Sequence, residues 1–123
     1  MIVFTLALLV GCNSNGEALR VGSYNDRGDI IFQKDDIREQ ETIDEVKKLL
    51  NSEEEVEAPS DGAPNLVIQI NNKQDSTMVM NVSLWTEDIS TVTFLRGHLD
   101  DEEKKYYQLS EESWNRIKEL LNL

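Results

Sequence analysis

Leu66-Val-Ile-Gln-Ile-Asn-Asn-Lys-Gln-Asp-Ser-Thr-Met-Val-Met-Asn-Val-Ser-Leu-Trp85 holds two runs of alternating hydropathy, and their reading decides the fold. Leu66, Ile68 and Ile70 alternate with Val67, Gln69 and Asn71, a period of two that belongs to a strand and not to a helix. Residues 71–76 then supply turn chemistry. A second strand answers, with Met78, Met80, Val82 and Leu84 on one face and Val79, Asn81, Ser83 and Trp85 on the other. Beyond it, Thr86-Glu-Asp88 turns into Ile89-Ser-Thr-Val-Thr-Phe-Leu95, which extends the hairpin into an antiparallel meander.

The flanks fit around this meander. A short strand over Lys105-Tyr-Tyr-Gln-Leu109 leads to Ser110, a good N-cap, and to a helix with Trp114, Ile117, Leu120 and Leu121 on one side. Upstream, Leu19, Val21 and Tyr24 alternate with Arg20 and Ser23, and Asn25-Asp-Arg-Gly28 turns into Asp29-Ile-Ile-Phe32, a hairpin. Thr42-Ile-Asp-Glu45 fits a capping box that opens a helix with Ile43, Val46, Leu49 and Leu50 on one face and a stop near Asn51. Residues 52–64 combine a charge run with both prolines of the chain and read as a loop. The expected order is ββαββββα in the α+β class: a mostly antiparallel sheet with two amphipathic helices packed on one face and the other face partly wet.

Composition bounds the rest. A chain of 123 residues, 39% hydrophobic and 29% charged, holds one compact domain and has no room for a second core. With 24 acidic against 12 basic residues its formal charge is −12, which argues against nucleic acid and sets teichoic-type phosphates and anionic lipid headgroups to repel the domain, a repulsion that fades beyond about 8 Å at physiological ionic strength. A charged partner should be basic, or a cation such as calcium; otherwise the acidity serves solubility alone. One cysteine excludes an intramolecular disulfide.

That cysteine closes an uncharged apolar run, Met1-Ile-Val-Phe-Thr-Leu-Ala-Leu-Leu-Val-Gly11, too short to span a bilayer and of the right length for a signal-peptide core. Leu9-Val10-Gly11-Cys12 resembles the lipobox of bacterial lipoproteins. The resemblance implies cleavage between Gly11 and Cys12, a diacylglyceryl group on the Cys12 thiol, and a domain held by lipid on the extracytoplasmic side of the cell membrane. Ile2 directly after Met1 departs from the basic opening usual in that family and leaves the true start open. The expected organisation is a signal peptide over residues 1–11, a lipidated cysteine and polar tether over 12–17, and one α+β domain over 18–123.

The mature region also resembles the YhfM-like domain of small lipoproteins from low-GC Gram-positive bacteria. The likeness rests on an isoleucine-rich strand before a helix, a Pro-bounded loop, the strand Val82-Ser-Leu-Trp85, and Tyr107-Gln-Leu-Ser110 running into a helix. It implies fold and location over residues 18–123 and brings no catalytic residue with it.

No residue set amounts to an active site. His98, the only histidine, can be written into a triad with Asp100 and Ser110, but there is no Gly-x-Ser-x-Gly elbow, and a lone histidine in a polar turn is ordinarily solvated. One histidine and one cysteine cannot furnish a zinc site, and no cofactor is expected. Asp35-Asp36 and Asp100-Asp-Glu-Glu103 offer oxygen ligands without matching a calcium loop. Arg27-Gly28-Asp29 is an integrin-type tripeptide that also reads as a hairpin turn, and Asn81-Val-Ser83 is a glycosylation sequon that should be inert in a bacterial chain.

Trp85 and Val79, on the face away from the helices, form the candidate interaction surface for protein or glycan, unless Trp85 simply covers the end of the core. The expected function is a non-enzymatic, membrane-anchored accessory module that binds another envelope protein. The alternatives are an inhibitor or immunity-type protein against a basic toxin or hydrolase, and an enzyme with a carboxylate site at Asp100 and Glu102.

Overall fold

A computed structural model describes residues 16–33, 35–51, 54–59, 63–87, 92–97 and 102–123. Its elements are β1 (Glu17–Tyr24), β2 (Ile30–Phe32), α1 (Gln40–Leu49), β3 (Glu55–Val56), β4 (Leu66–Asn72), β5 (Thr77–Trp85), β6 (Val92–Arg96), β7 (Tyr106–Leu109) and α2 (Glu111–Leu121). The seven strands form one sheet in the order β2-β1-β4-β5-β6-β7-β3, with every pairing antiparallel. The α+β class, the meander and the first hairpin are as the sequence predicts. The added strand is β3: two residues of the expected loop lie against β7, with Glu55 opposite Tyr107 and Val56 opposite Tyr106. A dipeptide is too short for periodicity to disclose.

Both helices cover one sheet face. Leu19 and Val21 of β1, Ile68 and Ile70 of β4, Val82 and Leu84 of β5, and Phe94 of β6 meet Ile43, Val46 and Leu50 from the first helix region and Trp114, Ile117 and Leu121 from the second. The α2 start follows the sequence reading, with the Ser113 N–H donating to Ser110 Oγ at 3.1 Å. The α1 start does not. Thr42 lies inside the first turn and Glu39 is the N-cap without a side-chain cap bond, so the expected capping box is not formed. A tertiary tie explains the earlier start: Gln40 Nε2 donates both to Glu17 Oε1 on β1, at 2.8 Å, and to Asp44 Oδ1, at 2.9 Å.

Strict alternation along β5 fails at one place. Ile70 pairs with Met80 but Asn71 pairs with Met78, so Val79 is an extra residue in a bulge. The bulge turns Met78 off the core face, and Met78 is exposed where the sequence pattern predicts burial. Met80, Val82 and Leu84 keep their predicted side and pack on the core.

The second sheet face is drier than expected. Ala18, Val67, Ser83, Trp85 and Leu95 are all buried there. Large side chains lie flat over small ones: the Arg20 guanidinium sits 3.8 Å from the Phe32 ring centroid, Tyr24 and Ser83 share a hydroxyl hydrogen bond of 3.4 Å, and Trp85 meets Tyr106 edge-on. Gly22 makes the first of these possible, because a Cβ there would come within 2.7 Å of Ile30 Cγ2 and 2.9 Å of Phe32 Cδ1.

Two outcomes are expected in urea unfolding. Phe94→Ala, which empties a fully buried ring site, lowers stability by about 3–5 kcal/mol. Gly22→Val costs about 1–3 kcal/mol by overpacking and raises amide exchange in β2 well before the rest of the sheet.

Candidate functional site

Two hydrogen-bonded ion pairs fix the helices and leave their residues little freedom for chemistry. Glu17 Oε2 accepts from Lys47 Nζ at 2.8 Å, and the Glu17 side chain is almost fully enclosed. Burial pushes its carboxyl up, but hydrogen bonds from Gln40 and Lys47, with the charge of Lys47, outweigh it and hold Glu17 below the ordinary carboxylate value. Arg116 forks onto Glu45, Nε to Oε2 at 2.7 Å and Nη2 to Oε1 at 3.1 Å, and clips α2 to α1. The same hydrogen bonds lower the Glu45 carboxyl and raise the Arg116 guanidinium. Beside this clip lies an open groove of about 580 Å³ lined by Glu45, Lys48, Asn51, Glu54, Gln108 and Ser113. Charges of both signs line it, and Glu45 is already committed to Arg116.

The predicted residues scatter. Gly11 and Cys12, and the His98 and Asp100 of a possible triad, lie outside the described residues. Ser110 is spent as a helix cap. Asp36 is within 3.5 Å of Lys73 Nζ, and among the described residues no group of three or more acids, His or Cys is placed to hold a metal. Arg27-Gly28-Asp29 is a turn: Asn25 Oδ1 accepts from the backbone N–H of Arg27 and of Asp29, each at 2.9 Å, and Gly28 takes φ +83°. In the sequon, Asn81 Nδ2 donates to the Gly97 carbonyl at 2.7 Å and Ser83 is buried.

Of the candidate interaction surface, Trp85 and Val79, only half is on the surface. Trp85 is 9% exposed, packed edge-on against Tyr106 on the second sheet face, so it does not offer an aromatic platform, whereas Val79 stands 44% exposed in the bulge. The bulge and the Tyr106 contact decide this, and neither is visible in alternation alone.

A surface that the sequence reading passed over lies at the sheet's β2 edge. Ile31 faces Ser23, and the flanking bonds, Gln33 N–H to the Val21 carbonyl and Asn25 N–H to the Asp29 carbonyl, set the alternation. The backbone groups of Ile31 therefore point at β1, while those of Ile30 and Phe32 point outward. Among the described residues no strand lies beyond them. Ile30 and Ile31 are both exposed, the latter at 57%. β2 itself is three residues long, and Ile37 pairs with Leu19 of β1 in an isolated bridge. Two consecutive isoleucines beside a turn were the available signal, since a strand buried on neither face still keeps β-branched residues.

The YhfM protein family matches the chain over residues 23–123, from the end of β1 through α2. The chain belongs to that family. No match was found among curated proteins or among solved structures. Among the described residues, no helix is long and apolar enough to cross a membrane.

The Glu17–Lys47 pair makes a pH prediction. Because the native carboxyl lies below its ordinary value of 4.5, its contribution is complete above that pH and is lost as pH falls through the depressed native value. Glu17→Gln is expected to lose about 1 kcal/mol at pH 7, a figure discounted for the part of Lys47 that stays in water. The gap to the parent protein should close progressively below pH 4.5 in urea titrations.

Proposed function

We propose that this YhfM-family protein is an extracytoplasmic lipoprotein, anchored through Cys12, that works by holding another envelope protein and performs no catalysis of its own. The anchor half rests on Leu9-Val10-Gly11-Cys12 after an uncharged apolar run. The binding half rests on one observation, the exposed Ile30 and Ile31 on a strand whose outer backbone groups have no partner strand among the described residues. Such an edge accepts an extended segment by strand addition: backbone hydrogen bonds give affinity, and the alternate side chains give selectivity. Asp26, Asp29 and Asp35 are exposed around it, with Arg27 offsetting Asp29 at 4.0 Å, and the whole chain carries −12, so the incoming segment should be basic.

Basic charge in the partner is also what an inhibitor or immunity-type role would require. The two differ in consequence, since an inhibitor silences its target and an accessory module sustains it.

Photocrosslinking from position 33, exposed at the end of the same edge, should capture a discrete partner in intact cells. Ile31→Asp should abolish that adduct without lowering stability, because the side chain is exposed. Adducts no different from those obtained at exposed Glu112 on α2 would remove the support for strand addition. Mass spectrometry of the native protein is expected to show loss of residues 1–11 and a diacylglyceryl mass on Cys12.

A further inference from the structure

Gly16, the first residue the structure describes, is fastened to the turn between β4 and β5. Its carbonyl accepts from the Lys73 N–H at 3.0 Å, and a Cβ on it would come within 2.9 Å of Gln74 Cγ. The register extends this tie into a whole end of the sheet. Glu17 lies opposite Asn72 and Asn72 opposite Thr77; Ala18 lies opposite Asn71 and Asn71 opposite Met78. The β4–β5 turn, the start of β1 and the start of β5 thus share one end, while Tyr24, Ile30, Leu66 and Leu84 share the other.

The bulge gives that first end an apolar tip. Met78 and Val79 are each 44% exposed, beside a shallow groove of about 310 Å³ that runs along Met80 and Asn81 to Arg96 and Gly97. The adjoining turn carries Lys73 and Asp75, and Asp36 pairs with Lys73 at 3.5 Å, so this group holds a single formal negative charge within a chain of −12. Two exposed apolar side chains on a weakly charged corner are unlike the acidic surface around β2.

We infer that this corner of the sheet rests against the phospholipid surface, with Met78 and Val79 set among the headgroups; the inference rests on the lipidation of Cys12 proposed above. The four peptide steps from Cys12 to Gly16 can reach at most about 14 Å in any conformation, because chain geometry allows no more than about 3.3–3.6 Å per residue. Two acyl chains hold Cys12 at the interface. Gly16 is tied to the β4–β5 turn, and Met78 lies two strand spacings from β1, about 10 Å, so the tether keeps Met78 within roughly 25 Å of Cys12 and favours this end of the sheet. Ile31, opposite Ser23, stands seven residues along β1 from Gly16, about 23 Å farther out at the usual strand rise. Glu102 and Glu103, exposed in the connection from β6 to β7, end at the same side of the sheet, and their repulsion from anionic headgroups tilts the β1–β4–β5 corner closest.

The test uses full-length protein lipidated in cells, carrying Met78→Cys, Val79→Cys or Ile31→Cys. Its Cys12 thiol is then consumed by lipid, so a bimane label reports only the new position. All three sites are exposed, and substitution spares the core. After reconstitution into vesicles of phosphatidylethanolamine and phosphatidylglycerol containing nitroxide-headgroup lipid, labels at 78 and 79 should be quenched several-fold more than the label at 31. Equal quenching, or more at 31, in protein whose mass confirms lipidation would overturn the orientation and leave the anchor standing. A mass showing residues 1–11 intact and a bare thiol at Cys12 would overturn the anchor, and the orientation with it.

Discussion

Ile68, Ile70, Val82 and Leu84 form an apolar ridge across the two central strands, and every other element is placed by the need to cover or extend it. All four are fully buried. Neither strand can bury its own ridge, so α1 and α2 must cover the same face, and the Arg116–Glu45 fork and the Leu50, Ile117 and Leu121 contacts hold them there as a pair. The ion pairs add position more than energy: Arg116 and Glu45 are partly in water, where such pairs are worth little, yet a bidentate fork fixes how the helices lie.

The same economy explains the ends of α1. Its start is fixed by Gln40 reaching Glu17, and its C-terminal end meets Arg96, whose Nη1 donates to the Asn51 side-chain Oδ1 at 2.9 Å and to the Leu50 backbone carbonyl at 3.4 Å. Arg96 also lies 4.1 Å over the Tyr107 ring, so a cation favoured by the helix dipole is held from the sheet side by an aromatic face. Sheet residues set both helix limits. A capping box at Thr42 is locally sound, but it loses to a cross-element bond that no local pattern encodes.

This contrast measures how far the fold was legible. Long periodic segments, β4, most of β5, α2 and the Asn25–Gly28 turn, follow from spacing and turn chemistry because each is decided by its own residues. Residues placed by a partner were not legible: Val79 is extruded because β4 and β5 must change register, Trp85 is buried because Tyr106 stands beside it, and Glu55–Val56 becomes a strand only because β7 offers an edge. The candidate binding surface followed the same rule. Ile30 and Ile31 read as an ordinary second strand, and only the sheet order reveals that nothing described lies beyond them. The proposed lipid address is of the opposite kind, a resemblance carried by the four consecutive residues Leu9-Val10-Gly11-Cys12, whose reading needs no fold.

Placing the lipid-facing corner and the open edge at opposite ends of β1 resolves a conflict in the chain's charge. A domain of −12 held close to anionic headgroups is repelled, but the repulsion decays over about 8 Å at physiological ionic strength. A weakly charged turn with Met78 and Val79 can occupy that layer when the Glu102–Glu103 side tilts away, whereas the acids around β2 could not without cost. Farther out, the same acids are screened from the membrane and remain free to attract a basic segment. A β2 edge beside the tether would lose both its access and its charge complementarity. The proposed anchor and the proposed recognition edge are therefore compatible in so small a domain because β1 connects them, with Gly16 fastened at one end and Tyr24 paired with Ile30 at the other.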